Sequence, residues 1–149
     1  MHSVKSPQLV EQIRQVILTD FAHIMTTSES TMGKFMVIAL GIEFLGACLD
    51  KQHLNATARS EKRFNSALLR LFPNKYHHFA KMGSVPYLYT DFRCQVIHQF
   101  RPAKTVFLCS SDAVNPTAHL TYNNEGSLIL VAEVFYQDLA AAALKLIDS

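Results

Sequence analysis

Apolar residues return at steps of three or four at Leu9, Ile13, Ile17, Phe21 and Ile24, the spacing of one face of an α-helix. Pro7 after Ser6 is a favourable helix start, so the pattern predicts an amphipathic helix from about Pro7 to Met25. The polar stretch TTSES, residues 26–30, interrupts it. The run FMVIALGIEFLGACL from Phe35 to Leu49 is then apolar on nearly every side, as a central helix should be. It contains Glu43 and falls short of the roughly twenty apolar residues that cross a bilayer, which predicts a core helix rather than a membrane helix. Gly41 and Gly46 on it would let another helix approach closely.

DKQHLNATAR, residues 50–59, reads as a loop. Ser60 is placed to cap a helix carrying Phe64, Ala67, Leu68 and Leu71, which ends by Pro73. NKYHHFAKM adds a turn or two before Gly83. Ser84 and Pro86 then open a helix that holds DFRCQVIHQFRP, residues 91–102, and Pro102 stops it because proline disfavours helical geometry in the residue before it. After Lys104 the pattern becomes short and β-prone in TVFLCS, AHLTYN and SLILV. Asn124-Glu125-Gly126 stands as a turn between the second and third runs, so a small antiparallel meander is predicted. From Ala132 to Ile147 the stripe Val134, Leu139, Ala142, Ala143 and Leu146 predicts a last helix. The expected fold is mainly α, a helical bundle with a small antiparallel β meander before the C-terminal helix (α+β), as a single domain over residues 1–149.

Composition agrees with a packed domain: 49% of residues are hydrophobic and 17% charged. The three cysteines, Cys48, Cys94 and Cys109, are widely separated without C-x-x-C spacing, which points to reduced thiols. The segment MHSVKSPQLVEQ lacks the apolar core of a secretory signal, so a cytoplasmic location with no membrane attachment is the expectation. The net charge of +2 hides an asymmetry. Residues 1–50 hold three Lys or Arg against five acids (−2), residues 51–104 ten against two (+8), and residues 105–149 one against five (−4). A basic middle third either forms a positive patch for polyanions or meets acids from the two ends across the fold.

The stretch DFRCQVIHQFRP joins this charge to chemistry. Metal-free cleavage of RNA needs a group to take the proton from the 2′-hydroxyl, an acid for the leaving oxygen and a cation for charge growing on phosphorus. Histidine suits the proton transfers because its pKa lies near neutrality. Arginine suits the phosphate because its planar fork stays charged and donates two hydrogen bonds. Arg93 and His98 are the candidates, with Asp91 on nearly the same face as His98, Arg101 close by, and Glu43 either holding one of the arginines or only reaching the surface at the end of the bundle, the second being the favoured reading. A separation of five turns two side chains about 140° apart on an α-helix, so the pair converges only if the last turn opens, the arginine bends round, or a second subunit completes the site. The alternative is structural: His98 in a last turn, stabilised by the helix dipole, and Arg93 paired with Glu43 or another acid.

The spacing R-x-x-x-x-H from Arg93 to His98, on a late helix of a small helical bundle, resembles the signature of the HEPN superfamily. The resemblance covers those two residues and the general helical layout. It implies a metal-independent endoribonuclease of toxin or defence type, working as a homodimer in which both copies line one cleft, with an antitoxin-type protein partner. Carried over, Arg93 and His98 match the family arginine and histidine. The chain departs from the pattern at Cys94, where active members frequently carry a polar residue, and in its β excursion. The alternative readings are a non-catalytic domain that binds RNA, nucleotide or a protein partner, and a domain that binds a small molecule between its helices.

No cofactor and no metal site is expected. His77, His78 and His119 have no Asp, Glu or Cys at ligand spacing and are expected to be surface histidines. Tyr76, Phe79, Tyr87, Tyr89 and Phe92 interleave with Lys75, Lys81 and Arg93 as a base-stacking surface does, although aromatics in this pattern more often belong to a core.

Overall fold

The computed structural model describes residues 6–50 and 53–149. Met1–Lys5 of the N-terminal segment, and Lys51 and Gln52 of the loop, lie outside the described residues.

Ser6 caps the first helix as expected, its hydroxyl accepting from the Leu9 N–H at 3.2 Å. The rod that follows is α1 (Pro7–Ile13), a π-helical stretch (Arg14–Asp20) and α2 (Phe21–Thr27). It buries Ile13, Ile17 and Met25. Serine 30 then caps α3 (Thr31–Leu49), accepting from the Gly33 N–H at 2.9 Å. α3 is the centre of the molecule. It packs mainly against α4 (Ser60–Arg70) and α6 (Ala132–Asp148). Its nineteen residues are long and apolar enough to cross a membrane by length and composition, and 56% of that span is buried inside the fold. Phe35, Ile38, Ile42 and Leu45 on α3 join Phe64 and Leu68 on α4 and Phe135, Leu139 and Leu146 on α6 in one hydrophobic core.

Gly46 acts as the sequence predicts. A Cβ there would lie 1.8 Å from the Arg63 carbonyl oxygen, so only a glycine lets the backbones of α3 and α4 come this close. The expected role of Ser60 is corrected: it is the first residue of α4, with Arg59 at the cap position, and its hydroxyl donates to Glu43 Oε2 at 3.3 Å instead.

A 3₁₀ stretch (Asn74–Ala80) follows α4, and a second π-helical stretch (Tyr89–Cys94) runs into the short α5 (Gln95–Gln99). α5 ends where Phe100 turns left-handed (φ 55°) ahead of Arg101 and Pro102. The strands β1 (Val106–Cys109) and β2 (Leu128–Val131) pair in parallel, with Val106 opposite Leu128 and Cys109 opposite Val131. This overturns the antiparallel meander. The turn at Asn124-Glu125-Gly126 does form, with Gly126 at φ 79° and the Asn123 side chain accepting from Glu125 and Ser127 N–H. It folds residues 120–122 back on β2, but Leu120 at φ 63° breaks the extended run, which leaves a single antiparallel bridge, Tyr122 to Leu128, instead of a strand. β2 therefore takes β1 as its long partner on its other side.

α6 begins directly after β2 and buries Leu139, Ala142, Ala143 and Leu146, as predicted, with Phe135 in the stripe and Val134 only half-buried. Its Tyr136 hydroxyl reaches across to donate to the Ile17 carbonyl at 2.6 Å. At its first turn Glu133 accepts from Lys34 Nζ at 2.8 Å and from the Ser111 N–H at 2.6 Å, tying the start of α3 to the end of β1. Burial pushes the Glu133 carboxyl up, but these bonds to its charged form outweigh it and leave the group below its ordinary value.

Candidate functional site

The π-helical stretch places Arg93 against α3. Its Nε lies 2.8 Å from Glu43 Oε1, and its guanidinium sits 5.7 Å from the centre of the Tyr89 ring. Only 11% of the Arg93 side chain is exposed, against 23% for Glu43. The pairing that the lone carboxylate of an apolar helix suggested is thus present. It is an ion pair without an aligned hydrogen bond, since neither Arg93 Nε nor Glu43 Oε1 has one despite burial. Burial, helped by the Cys94 side chain and opposed by Arg93, moves the Tyr89 hydroxyl up to about 12, so it remains a neutral phenol beside the pair.

The other predicted residues do not gather round Arg93. His98 is exposed in α5, and no hydrogen bond or ion pair among the described residues joins it to Arg93 or Asp91. Asp91 is a staple: its carboxylate accepts from Thr105 Oγ1 at 2.9 Å and from the Tyr87 N–H at 3.3 Å, and its carbonyl from the Ala103 N–H at 3.0 Å. It ties the chain after Pro102 to the start of the helix and does not orient an imidazole. Arg101 is exposed. Arg93 and Glu43 therefore meet, while no hydrogen bond or ion pair among the described residues joins His98, Asp91 or Arg101 to that contact.

One side of α4 is fastened to this region. Tyr87 donates its hydroxyl to Glu61 Oε2 at 2.6 Å and accepts from Asn65 Nδ2 at 2.7 Å. Burial first, and Glu61 next, raise the Tyr87 hydroxyl above its ordinary value.

The adjoining side of α4 forms a cavity of about 300 Å³ with the end of α3, lined by Gly46, Leu49 and Asp50 and by Arg59, Lys62, Arg63, Ser66 and Arg70. Asp50 divides the cations into two kinds. It accepts from Arg59 Nε at 2.6 Å and Nη2 at 3.1 Å, and from Arg63 Nε at 3.0 Å. Arg63, 6% exposed, gives its remaining nitrogens to the Leu54 and His53 carbonyls at 2.8 and 2.7 Å. It is a structural cross-link between α4, the end of α3 and the loop. Lys62 and Arg70 are exposed and have no carboxylate partner among the described residues. Ser66 stands one helical turn from each. Four cations against one carboxylate leave an excess of three positive charges round the cavity.

The charge asymmetry in the sequence is resolved along the same lines. Acids from the two ends do meet basic residues of the middle third, Asp50 with Arg59 and Arg63, Glu43 with Arg93, and Asp138 with Lys75. Lys62, Arg70, Lys81, Arg101 and Lys104 are left without such partners among the described residues, and two of these five stand at the cavity. The cavity had a signal in the sequence: Arg59, Arg63, Ser66 and Arg70 follow at steps of four, three and four, with Lys62 one residue before Arg63, one stripe of a helix.

His119 is buried, not a surface histidine as the sequence suggested, because both of its ring nitrogens are bonded inside the fold. Its Nδ1 accepts from the Val131 N–H at 3.0 Å, which puts the ring proton on Nε2. Nε2 then donates to the Tyr76 oxygen at 2.7 Å, and the Tyr76 hydroxyl donates to Asp138 Oδ2 at 2.6 Å, with Lys75 Nζ 3.2 Å from the same oxygen. Burial first, then the Lys75 charge, hold His119 down at about 4, and burial with the Asp138 bond raises Tyr76 far above the ordinary phenol value. Every proton in this chain has an acceptor, as a buried polar network requires. Tyr76 also stacks on Phe135 in the core, at 5.4 Å between centroids, so this aromatic is packing rather than a base-stacking surface.

Comparisons with protein families, with curated proteins and with solved structures find no match to this chain.

Proposed function

We propose that this chain is an RNA-binding domain that holds phosphate on the cationic side of α4. The observation that carries the reading is the cavity between α3 and α4, where four cationic side chains face a single carboxylate and two of the four, Lys62 and Arg70, are uncommitted. The cavity is small and concave, which suits a flexible single strand that can bend a phosphate into it better than a rigid duplex. The likeness of Arg93 and His98 to an RNA-directed motif supports RNA over DNA. Binding is favoured over cleavage because Arg93 is engaged with Glu43 and His98 stands apart from it.

Fluorescence anisotropy of a labelled single-stranded RNA over a series of salt concentrations tests this. Each cation neutralising a phosphate contributes about −0.7 to the slope of log K against log salt for a single strand. Replacing Lys62 and Arg70 together by Gln should therefore weaken binding and flatten the slope by roughly 0.7, the share of the one phosphate that the cavity holds. An unchanged slope would remove the α4 side from the interface. Total RNA incubated with the protein in EDTA should stay intact, whereas degradation abolished by His98→Ala would replace binding with catalysis as the function.

A further inference from the structure

We infer that the cavity between α3 and α4 recognises a phosphate monoester, the phosphorylated end of an RNA strand or a nucleoside monophosphate, in preference to a phosphodiester within a chain. This rests on the RNA-binding reading above and names its ligand class. Size gives the first argument. About 300 Å³ is the lower end of the range for small-molecule sites, enough for one phosphate and part of its nucleoside but not for a run of nucleotides.

Charge gives the second. Near neutral pH a monoester carries between about −1.5 and −2 and three terminal oxygens, where a diester carries a single charge. The cavity meets a dianion with two cations that no carboxylate among the described residues holds, Lys62 and Arg70. They stand one turn to either side of Ser66, so ammonium, hydroxyl and guanidinium donors come from three successive turns of α4. Arg59 adds to the field: Asp50 takes its Nε and one Nη2 bond, leaving other N–H donors of its guanidinium uncommitted.

The third argument is rigidity. Asp50 and Arg63 are fixed by hydrogen bonds to Arg59, Leu54 and His53, and Gly46 sets the distance between the helices. The wall facing the ligand is thus formed before binding, and only the exposed Lys62 and Arg70 side chains must order.

One short single-stranded RNA prepared with a 5′-hydroxyl, a 5′-phosphate or a 3′-phosphate provides the test, alongside a nucleoside monophosphate and its parent nucleoside measured by calorimetry. At least one phosphorylated end should tighten binding about tenfold, the return on an added charge-assisted contact. The advantage should disappear in the Lys62→Gln/Arg70→Gln variant, which circular dichroism should show folded because both residues are exposed. It should also shrink as pH falls through about 6, where the monoester takes up its second proton. Equal affinity for the three oligonucleotides, with RNA binding intact, would overturn the inference and leave the RNA reading standing. Binding of the nucleoside monophosphate but of no RNA would keep the monoester site and overturn the RNA reading.

Discussion

Replacing Gly46 by Ala tests the helix contact that forms the cavity. The new Cβ would sit 1.8 Å from the Arg63 carbonyl oxygen, 2.3 Å from its carbon and 2.7 Å from its Cα. A carbon-to-oxygen contact is ordinarily at least about 3.3 Å, so α4 must retreat by roughly 1.5 Å. The obstacle is backbone inside a helix and has no rotamer through which to escape. Overpacking costs about 1–3 kcal/mol where side chains can yield, and this site belongs at or above the upper figure. Helix propensity returns about 1 kcal/mol for Gly→Ala. The net expectation is a loss of at least about 2 kcal/mol, measured as a lower guanidinium midpoint at unchanged m-value. The other glycines of α3 calibrate the experiment. At Gly41 the Cβ meets the Leu139 and Phe21 side chains at 2.8 and 3.2 Å, which can shift at a smaller cost. At Gly33 it meets the Ser30 side chain, Oγ at 3.1 Å and Cβ at 3.4 Å, and the variant should lie within about 1 kcal/mol of the parent. The expected order of stability is therefore Gly33→Ala, then Gly41→Ala, then Gly46→Ala. A Gly46→Ala protein with the parent midpoint would refute the close approach of α3 and α4, and with it the shape of the cavity.

Two further predictions concern buried polar groups. The folded protein holds His119 at about 4 against an ordinary 6.5, so between those values the unfolded chain binds the extra proton and stability falls as pH falls. The loss approaches about 3 kcal/mol by pH 4, and a His119→Gln variant should show a flatter dependence of melting temperature on pH across this window; an unchanged slope would place the acid sensitivity elsewhere. Glu43→Leu should cost about 2–3 kcal/mol by stranding a nearly buried guanidinium, while Glu43→Leu with Arg93→Met should recover most of it. Additive losses in that double-mutant cycle would mean that the 2.8 Å pair carries no coupling.

The first and last helices were legible because they hold their apolar residues at one helical spacing, the central one because it is apolar on nearly every side, and Ser6 and Pro102 mark ends by local chemistry that needs no tertiary partner. The direction of the β pairing was not. It depends on Leu120 adopting a left-handed conformation, for which no glycine or asparagine gives warning. The Arg93–Glu43 pair could be anticipated because a carboxylate in an apolar helix must find a cation. Asp91 deceived for the opposite reason, since the residues it staples, Ala103 and Thr105, follow the proline taken as the end of the element. The cavity was half visible: its basic stripe is periodic in the sequence, but which members are free depends on Asp50, which α3 delivers from outside the stripe.

The hydroxyl that α6 sends to the Ile17 carbonyl has a bearing on how the first rod is wound. Tyr136 adds a donor to a carbonyl of the π-helical stretch, so a residue 119 positions away supports the wider turn there. A peptide cut to this rod alone would lack that outside hand. It would be free to tighten into uniform α turns, which the three-and-four spacing of Leu9, Ile13, Ile17, Phe21 and Ile24 also accommodates, so the wider turn is expected only in the company of the C-terminal helix.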